Sequence, residues 1–351
     1  MPQRARDAGP AQAATTLLTI GRFCYSAKQR IAGGLLVIVE AGVGGIKIGI
    51  GFGLWRLGMP DPQTICSYAE RAEALGIDSI WLSDHIVSRQ PQLDVACVMA
   101  VFAARTKRIK MGPSVLTLPA RNPVQVAQTY ATLDYLSGGC GRVIMGVGLG
   151  SDPADSAACG VPAGERAARL EEGAEVLRKL WAGPNVTHAG RFYRFQNVTL
   201  EPRPPRGAID IWIGGRSDQA LRRAARFGDG WFPSFVTPGE FAAGLRRLGE
   251  YAGLFGRRIN PREAGVVLLT RVERERARAT DVCRKFLADF PGPLESLLER
   301  CAVGEPQECV ARIQSYVEAG CSKYVLWPVA APDEMVSQVE VYGREILPHF
   351  V

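Results

Sequence analysis

No apolar run near the start of this 351-residue chain is long enough to cross a bilayer. The stretch Ile31–Val39 stops at Glu40, well short of the roughly 20 residues a spanning helix needs. Histidine is equally scarce. His85, His188 and His349 are the only three, none has a second ligand at metal spacing, and no metal is assigned. The nine cysteines form no CxxC pair and no even framework, so they read as buried, reduced thiols of a cytoplasmic protein. A basic stripe is missing too. Of the net charge of +7, five basic residues (Arg4, Arg6, Arg22, Lys28, Arg30) against Asp7 and Glu40 place +3 before Ile46. Elsewhere bases alternate with acids, as where Arg271–Arg278 encloses Glu273 and Glu275. Neither a nucleic-acid nor a membrane partner is expected, although a mild positive bias suits an anionic small molecule.

What is present supports a large core. Apolar residues make up 47% of the chain and charged residues 22%, which excludes disordered, collagen-like and coiled-coil classes. Lys28 and Arg30 before IAGGLLVIV resemble a signal-peptide core, but they lie too far from Met1 and no small-x-small cleavage site follows. Residues 1–45 are therefore read as an N-terminal extension, either disordered or brought in by a mis-assigned start. The domain is placed at 46–351.

From Ile46 short apolar runs alternate with amphipathic stretches. Strands are predicted at 46–53, 77–82, 109–118, 142–150, 209–215, 230–234, 264–272 and 324–329. Helices are predicted from Asp61 (Pro62 in its first turn, Gly76 its stop), at 94–106, 123–136, 165–181 and 218–227, from Pro238, up to about Leu298, at 305–319, and at the end of the chain. Residues 186–200 read as a hairpin or extended excursion. Eight strands, each followed by a helix, spell an α/β fold, a (β/α)₈ TIM barrel with an insertion after strand four. The strands are continuous apolar runs, as a parallel sheet covered on both faces requires. A doubly wound sheet would want one glycine fingerprint opening a helix early; GIGFG at 49–53 runs instead into Trp55 and Arg56.

Working residues of such a barrel sit just after strands. Ser83-Asp84-His85 follows strand two: the carboxylate either orients an imidazole or caps a helix beside a surface histidine. Within strand three, Gly112-Pro113-Ser114-Val115-Leu116 reads as a strand end or as a turn pressing on a ligand. After strand four come Gly146, Gly148, Leu149, Gly150, Ser151 and Asp152; after strand five, Gly214, Gly215, Arg216 and Ser217 open a helix. Glycines let the main chain approach a bulky anion, and free N–H groups at a helix start attract one. Tight strand–helix packing would account for either cluster singly; two together favour a phosphate-bearing cofactor. Trp231 either lines a flat ring's pocket or caps the core.

SIWLSDH (79–85), RNPVQVAQTYATLDYLSGG (121–139), RVIMGVGLG (142–150), IWIGGRSDQALRRAARFGDGW (211–231) and GEPQECVARIQSYVEAG (304–320) together resemble the luciferase-like flavin-dependent oxidoreductases, in the branch using the deazaflavin coenzyme F420. The resemblance implies a ring-shaped cofactor bound at the C-terminal mouth, with FMN as the alternative. It places Asp84 against the cofactor and His85, the catalytic candidate, beside the reacting ring. It puts a non-proline cis peptide at Ser114-Val115, and a phosphate on the N–H groups of Gly148, Leu149, Gly150, Ser151, Gly214, Gly215 and Arg216. Residues 150–163 match the family's insertion over the site, and a homodimer is implied by analogy. A related sugar-phosphate dehydrogenase has a glutamate acting as acid where this chain has Ser151. The activity implied is hydride transfer between F420 and a small-molecule organic substrate. An FMN-dependent monooxygenase and a non-catalytic flavin-binding barrel are the alternatives.

Overall fold

A computed structural model describes residues 45–350; all of the proposed extension but Gly45 falls outside the described residues. The first half of the order is β1 (Lys47–Phe52), α1 (Pro62–Ala74), β2 (Ser79–Leu82), α2 (Val95–Arg105), β3 (Lys110–Pro113), β4 (Leu116–Thr117), α3 (Pro123–Leu136) and β5 (Met145–Gly148). Then come α4 (Pro153–Ala158), α5 (Arg166–Ala182), the hairpin β6 (Val186–Ala189) and β7 (Arg194–Val198), β8 (Ile211–Gly214), α6 (Asp218–Phe227), β9 (Gly230–Phe232) and α7 (Pro238–Leu254). The chain ends with β10 (Gly265–Val272), α8 (Arg276–Leu287), α9 (Leu294–Leu298), β11 (Ala302–Gly304), α10 (Pro306–Glu318), β12 (Lys323–Pro328) and α11 (Met335–Val341). No helix among the described residues is long and apolar enough to cross a membrane.

Helix starts follow local chemistry. Asp61, Asp94, Asn122 and Ser217 each turn a side-chain oxygen onto first-turn N–H groups, and Thr237 with Glu240 closes a capping box. Such caps are each worth about 1 kcal/mol.

The strands form two parallel arcs. One runs β11-β10-β12-β1-β2-β3 and the other β4-β5-β8-β9. Isolated parallel bridges join them at both seams: Met111 to Val143 on one side, Trp231 to Ala264 and Ser234 to Val267 on the other. Neighbours therefore follow the order β1-β2-β3-β5-β8-β9-β10-β12, and β12 pairs back with β1, the connectivity of a (β/α)₈ barrel. The single strand expected at 109–118 is corrected to two. β3 ladders with β2 and β4 with β5, and the Ser114–Val115 peptide between them is cis. β11, absent from the sequence reading, adds to the far end of β10.

Trp81, Trp212, Phe232 and Trp327 fill one buried cluster inside the ring. Lys323, fully buried, sits 5.3 Å above the Trp81 ring and 5.6 Å above that of Trp212. Its ammonium reaches Asp78 Oδ2 at 2.6 Å, the partner a buried charge requires. The cysteine expectation needs correction. Cys283, Cys301, Cys309 and Cys321 are buried, and burial pushes the Cys301, Cys309 and Cys321 thiols up to about 12. Cys97, Cys140 and Cys159 are exposed, and Cys66 is intermediate.

Candidate active site

The strand ends bring together Val115, Gly148 and Gly214, the first and last of them 99 positions apart. Val115 is the meeting point. A Cβ built on Gly148 would come within 2.4 Å of Val115 Cγ2, and one on Gly214 within 2.7 Å of Val115 Cγ1. Both glycines therefore leave room for one isopropyl group, which is itself only partly buried and faces the mouth. Beyond β5, Gly150 takes a left-handed φ of 81° and passes over Thr117, whose buried Oγ1 has no hydrogen-bond partner among the described residues. Beyond β8, Gly215 has φ 116°. The main-chain N–H groups of Leu149, Gly150, Ser151, Gly215 and Arg216 find no acceptor among the described residues. Ser217 caps α6 through its side chain onto Ala220 N–H. Two strand ends thus present unpaired donors beside a packed wall, which is the arrangement a phosphate-bearing ring needs.

Trp231 does not line this space. It is buried, stacks on Phe241, and its indole N–H donates to Gly215 O at 2.8 Å. It caps the core and holds the glycine turn from behind. Arg216 is exposed and donates through Nη1 to Phe235 O at 2.6 Å. A cavity of about 460 Å³ opens beside it, shared by Gly215, Arg216, Ser234, Phe235, Phe290 and Arg300. Every guanidinium nitrogen of Arg300 is already engaged, by Phe235 O, Ser296 and Glu240. Arg216 is thus the cation with donors to spare in that cavity.

Asp84, expected against the cofactor, has other partners. It is buried; Arg121 grips it through two bonds of 2.8 and 2.9 Å, and Thr117 N–H donates to it at 2.8 Å. Burial pushes the Asp84 carboxyl above its ordinary value, against the pull of Arg121 and the Thr117 N–H. The side chain ties the loop after β2 to β4 across the seam, and both of its oxygens already accept hydrogen bonds. Nor is it the partner of His85. That role falls to Asp155 on α4, whose Oδ2 lies 3.1 Å from His85 Nδ1. Asp155 Oδ1 accepts from the N–H groups of Ile86 and Val87 at 2.8 and 2.7 Å. Asp152, the acid beside Ser151, caps α4 on Ala154 N–H instead. Sequence reasoning missed both Arg121 and Asp155. Arg121 stood in a recognised motif without a role, and nothing local marks Asp155 apart from other helix-start acids.

A luciferase-like monooxygenase family model matches residues 44–299. The chain is 31% identical over 301 residues to an F420-dependent glucose-6-phosphate dehydrogenase of Kineococcus radiotolerans, covering 75% of this chain and 86% of that one. Among solved structures it is similar in fold to the F420-dependent tetrahydromethanopterin reductase of Methanopyrus kandleri, with TM-score 0.72 and 22% identity over 88% of this chain and 100% of that one. It is also similar in fold to the oxygenating component of 3,6-diketocamphane monooxygenase of Pseudomonas putida, solved with FMN, with TM-score 0.74 and 18% identity over 88% and 99% of the two chains. The arcs, the glycine-backed wall and these likenesses agree: the chain belongs to the luciferase-like monooxygenase family.

Proposed function

We propose that this protein is an oxidoreductase that transfers hydride between coenzyme F420 and a small organic substrate. The observation that carries the proposal is the convergence of Gly148, Gly214 and Val115 on one wall, flanked by the unpaired N–H groups of Leu149, Gly150, Ser151, Gly215 and Arg216. Val115 would back a planar ring, and the five N–H groups would take its phosphate. When bound, F420 supplies or accepts a hydride. Under this reading the protein's own work is narrower. The wall orients the ring, Asp84 and Arg121 hold the β4 segment that carries it, and His85 exchanges one proton with the substrate. The cavity beside Arg216 is the natural place for the substrate's polar end.

The family resemblance read from the sequence puts Ser151 where a related sugar-phosphate dehydrogenase would carry an acidic glutamate, so a glucose phosphate is not assigned as substrate. A homodimer belongs to this reading, and exposed Tyr135 and Leu136 at the end of α3 give it apolar surface. Cytoplasmic residence belongs to it too, supported by eight unpaired cysteines among the described residues.

A second reading, an FMN-dependent monooxygenase, shares the wall and the N–H cradle and is favoured by the likeness to the FMN-bound camphane enzyme. Titrating the purified protein separately with F420 and with FMN, followed by fluorescence quenching, decides between them. Saturable quenching of F420 is the expected result. Binding of FMN alone would transfer the assignment to the monooxygenase.

A further inference from the structure

The Asp155 carboxylate touches no part of the wall or cradle, yet its side chain is entirely buried at the mouth. Its oxygens divide their work. Oδ1 accepts from two main-chain N–H groups, those of Ile86 and Val87, and an N–H group can only donate. Oδ2 faces His85 Nδ1 at 3.1 Å. An ionised carboxylate has no hydrogen to give, so in the neutral imidazole the hydrogen on that line belongs to Nδ1. Nε2 is left with its lone pair. It has no partner among the described residues, and the His85 side chain is 23% exposed. Asp84, whose carboxyl feels the Asp155 charge, is itself held by Arg121.

We infer that Asp155 is a positioning residue that locks His85 in the Nδ1–H tautomer, so that Nε2 stands ready as the proton acceptor for a substrate hydroxyl. This rests on the reading of His85 as the proton partner given above. In the oxidative direction the substrate's O–H bond breaks and its proton goes to Nε2. F420, when bound, would supply the acceptor for the hydride on the same carbon, and the electron pair of the O–H bond would close the carbonyl. In the reductive direction the imidazolium returns the proton from the same nitrogen while Nδ1–H stays on Asp155. The lock comes from the insertion after β5, while the imidazole comes from the loop after β2.

The test is ¹⁵N NMR of the full chain labelled at histidine. Only three histidines contribute, and a His85→Gln spectrum assigns the signals of His85. At a pH where the ring is neutral, His85 Nε2 should resonate as an unprotonated nitrogen and Nδ1 as a protonated one. Asp155→Asn should reverse this. Its carboxamide oxygen still accepts from Ile86 and Val87 while its NH₂ donates to Nδ1, so the two ring nitrogens exchange places by tens of ppm. Asp155→Glu should keep the wild-type pattern. An Nε2–H tautomer in the wild-type protein overturns the inference, as does an unchanged pattern in Asp155→Asn. If the asparagine variant fails to fold, the wild-type spectrum alone still decides. Neither F420 nor substrate enters the measurement, so failure of the hydride-transfer reading and failure of the tautomer lock remain distinguishable.

Discussion

Replacing Gly214 by alanine adds one methyl group to a crowded point of the mouth. Gly214 has no left-handed φ, so alanine adopts the same backbone, and the effect is one of space alone. The new Cβ would sit 2.7 Å from Val115 Cγ1 and 3.2 Å from Cγ2, whereas relaxed carbon contacts lie near 3.5–4.0 Å. Val115 must give way by most of an ångström. It cannot retreat toward β5, because Gly148 already lies against its other γ carbon; its way out is into the space reserved for the ring. Overpacking of this kind costs about 1–3 kcal/mol, equivalent to a roughly 5- to 150-fold loss of cofactor affinity. Fluorescence titration with F420 measures it directly. Combining Gly214→Ala with Val115→Ala removes both crowded methyl groups, and the double variant should bind F420 more tightly than Gly214→Ala alone. Strict additivity of the two losses would refute the argument, because the alanine would then act by a route other than Val115. So would wild-type affinity in the single variant.

Two further outcomes follow from the geometry. His85→Ala should lower turnover by about 10²- to 10⁴-fold while changing F420 affinity less than about threefold; equal, small effects on both would remove His85 from the chemistry. On the barrel's flank, burial works to raise the Glu172 carboxyl, but the N–H groups of Tyr193 and Phe192 together with His188 outweigh it and hold the group below its ordinary 4.5. A depressed folded-state value means that its stabilisation of the β6–β7 hairpin is complete above about 4.5 and fades as pH falls through the lower value. Hydrogen exchange of the hairpin amides should show this loss of protection on acidification, and Glu172→Gln should abolish the extra pH sensitivity.

The sequence was most legible where structure is local. α3 and α6 run over the residues expected, because Asn122-Pro123 and Ser217-Asp218 carry their own start signals. The eight parallel segments were visible because strands covered on both faces must be continuously apolar. The glycine pairs after β5 and β8 were found as well, but the reason for two of them was not. Gly148 and Gly214 are small because Val115, far away in sequence, fills the gap. Such pairings leave no period to read. Asp155 meets His85 across 70 residues and Arg121 meets Asp84 across 37, and both contacts depend on where two loops fold. The break between β3 and β4 was likewise hidden, since 109–118 reads as one largely apolar run and only the change of pairing partner divides it. Exposed Cys97 shows the limit of composition, because a small apolar residue on a helix carries no label for the side it faces.

The two arcs meet between β3 and β5 through a single main-chain bridge, and the site is built astride that junction. The imidazole rides on one arc and the glycine cradle on the other, with two acids as struts between them: Asp84 reaching forward to Thr117, Asp155 reaching back to Ile86 and Val87. The spacing between proton partner and ring seat is therefore an adjustable dimension, governed by strut length rather than by the sheet. Lengthening either acid by one methylene would retune it without substituting any residue that meets the ring or the substrate.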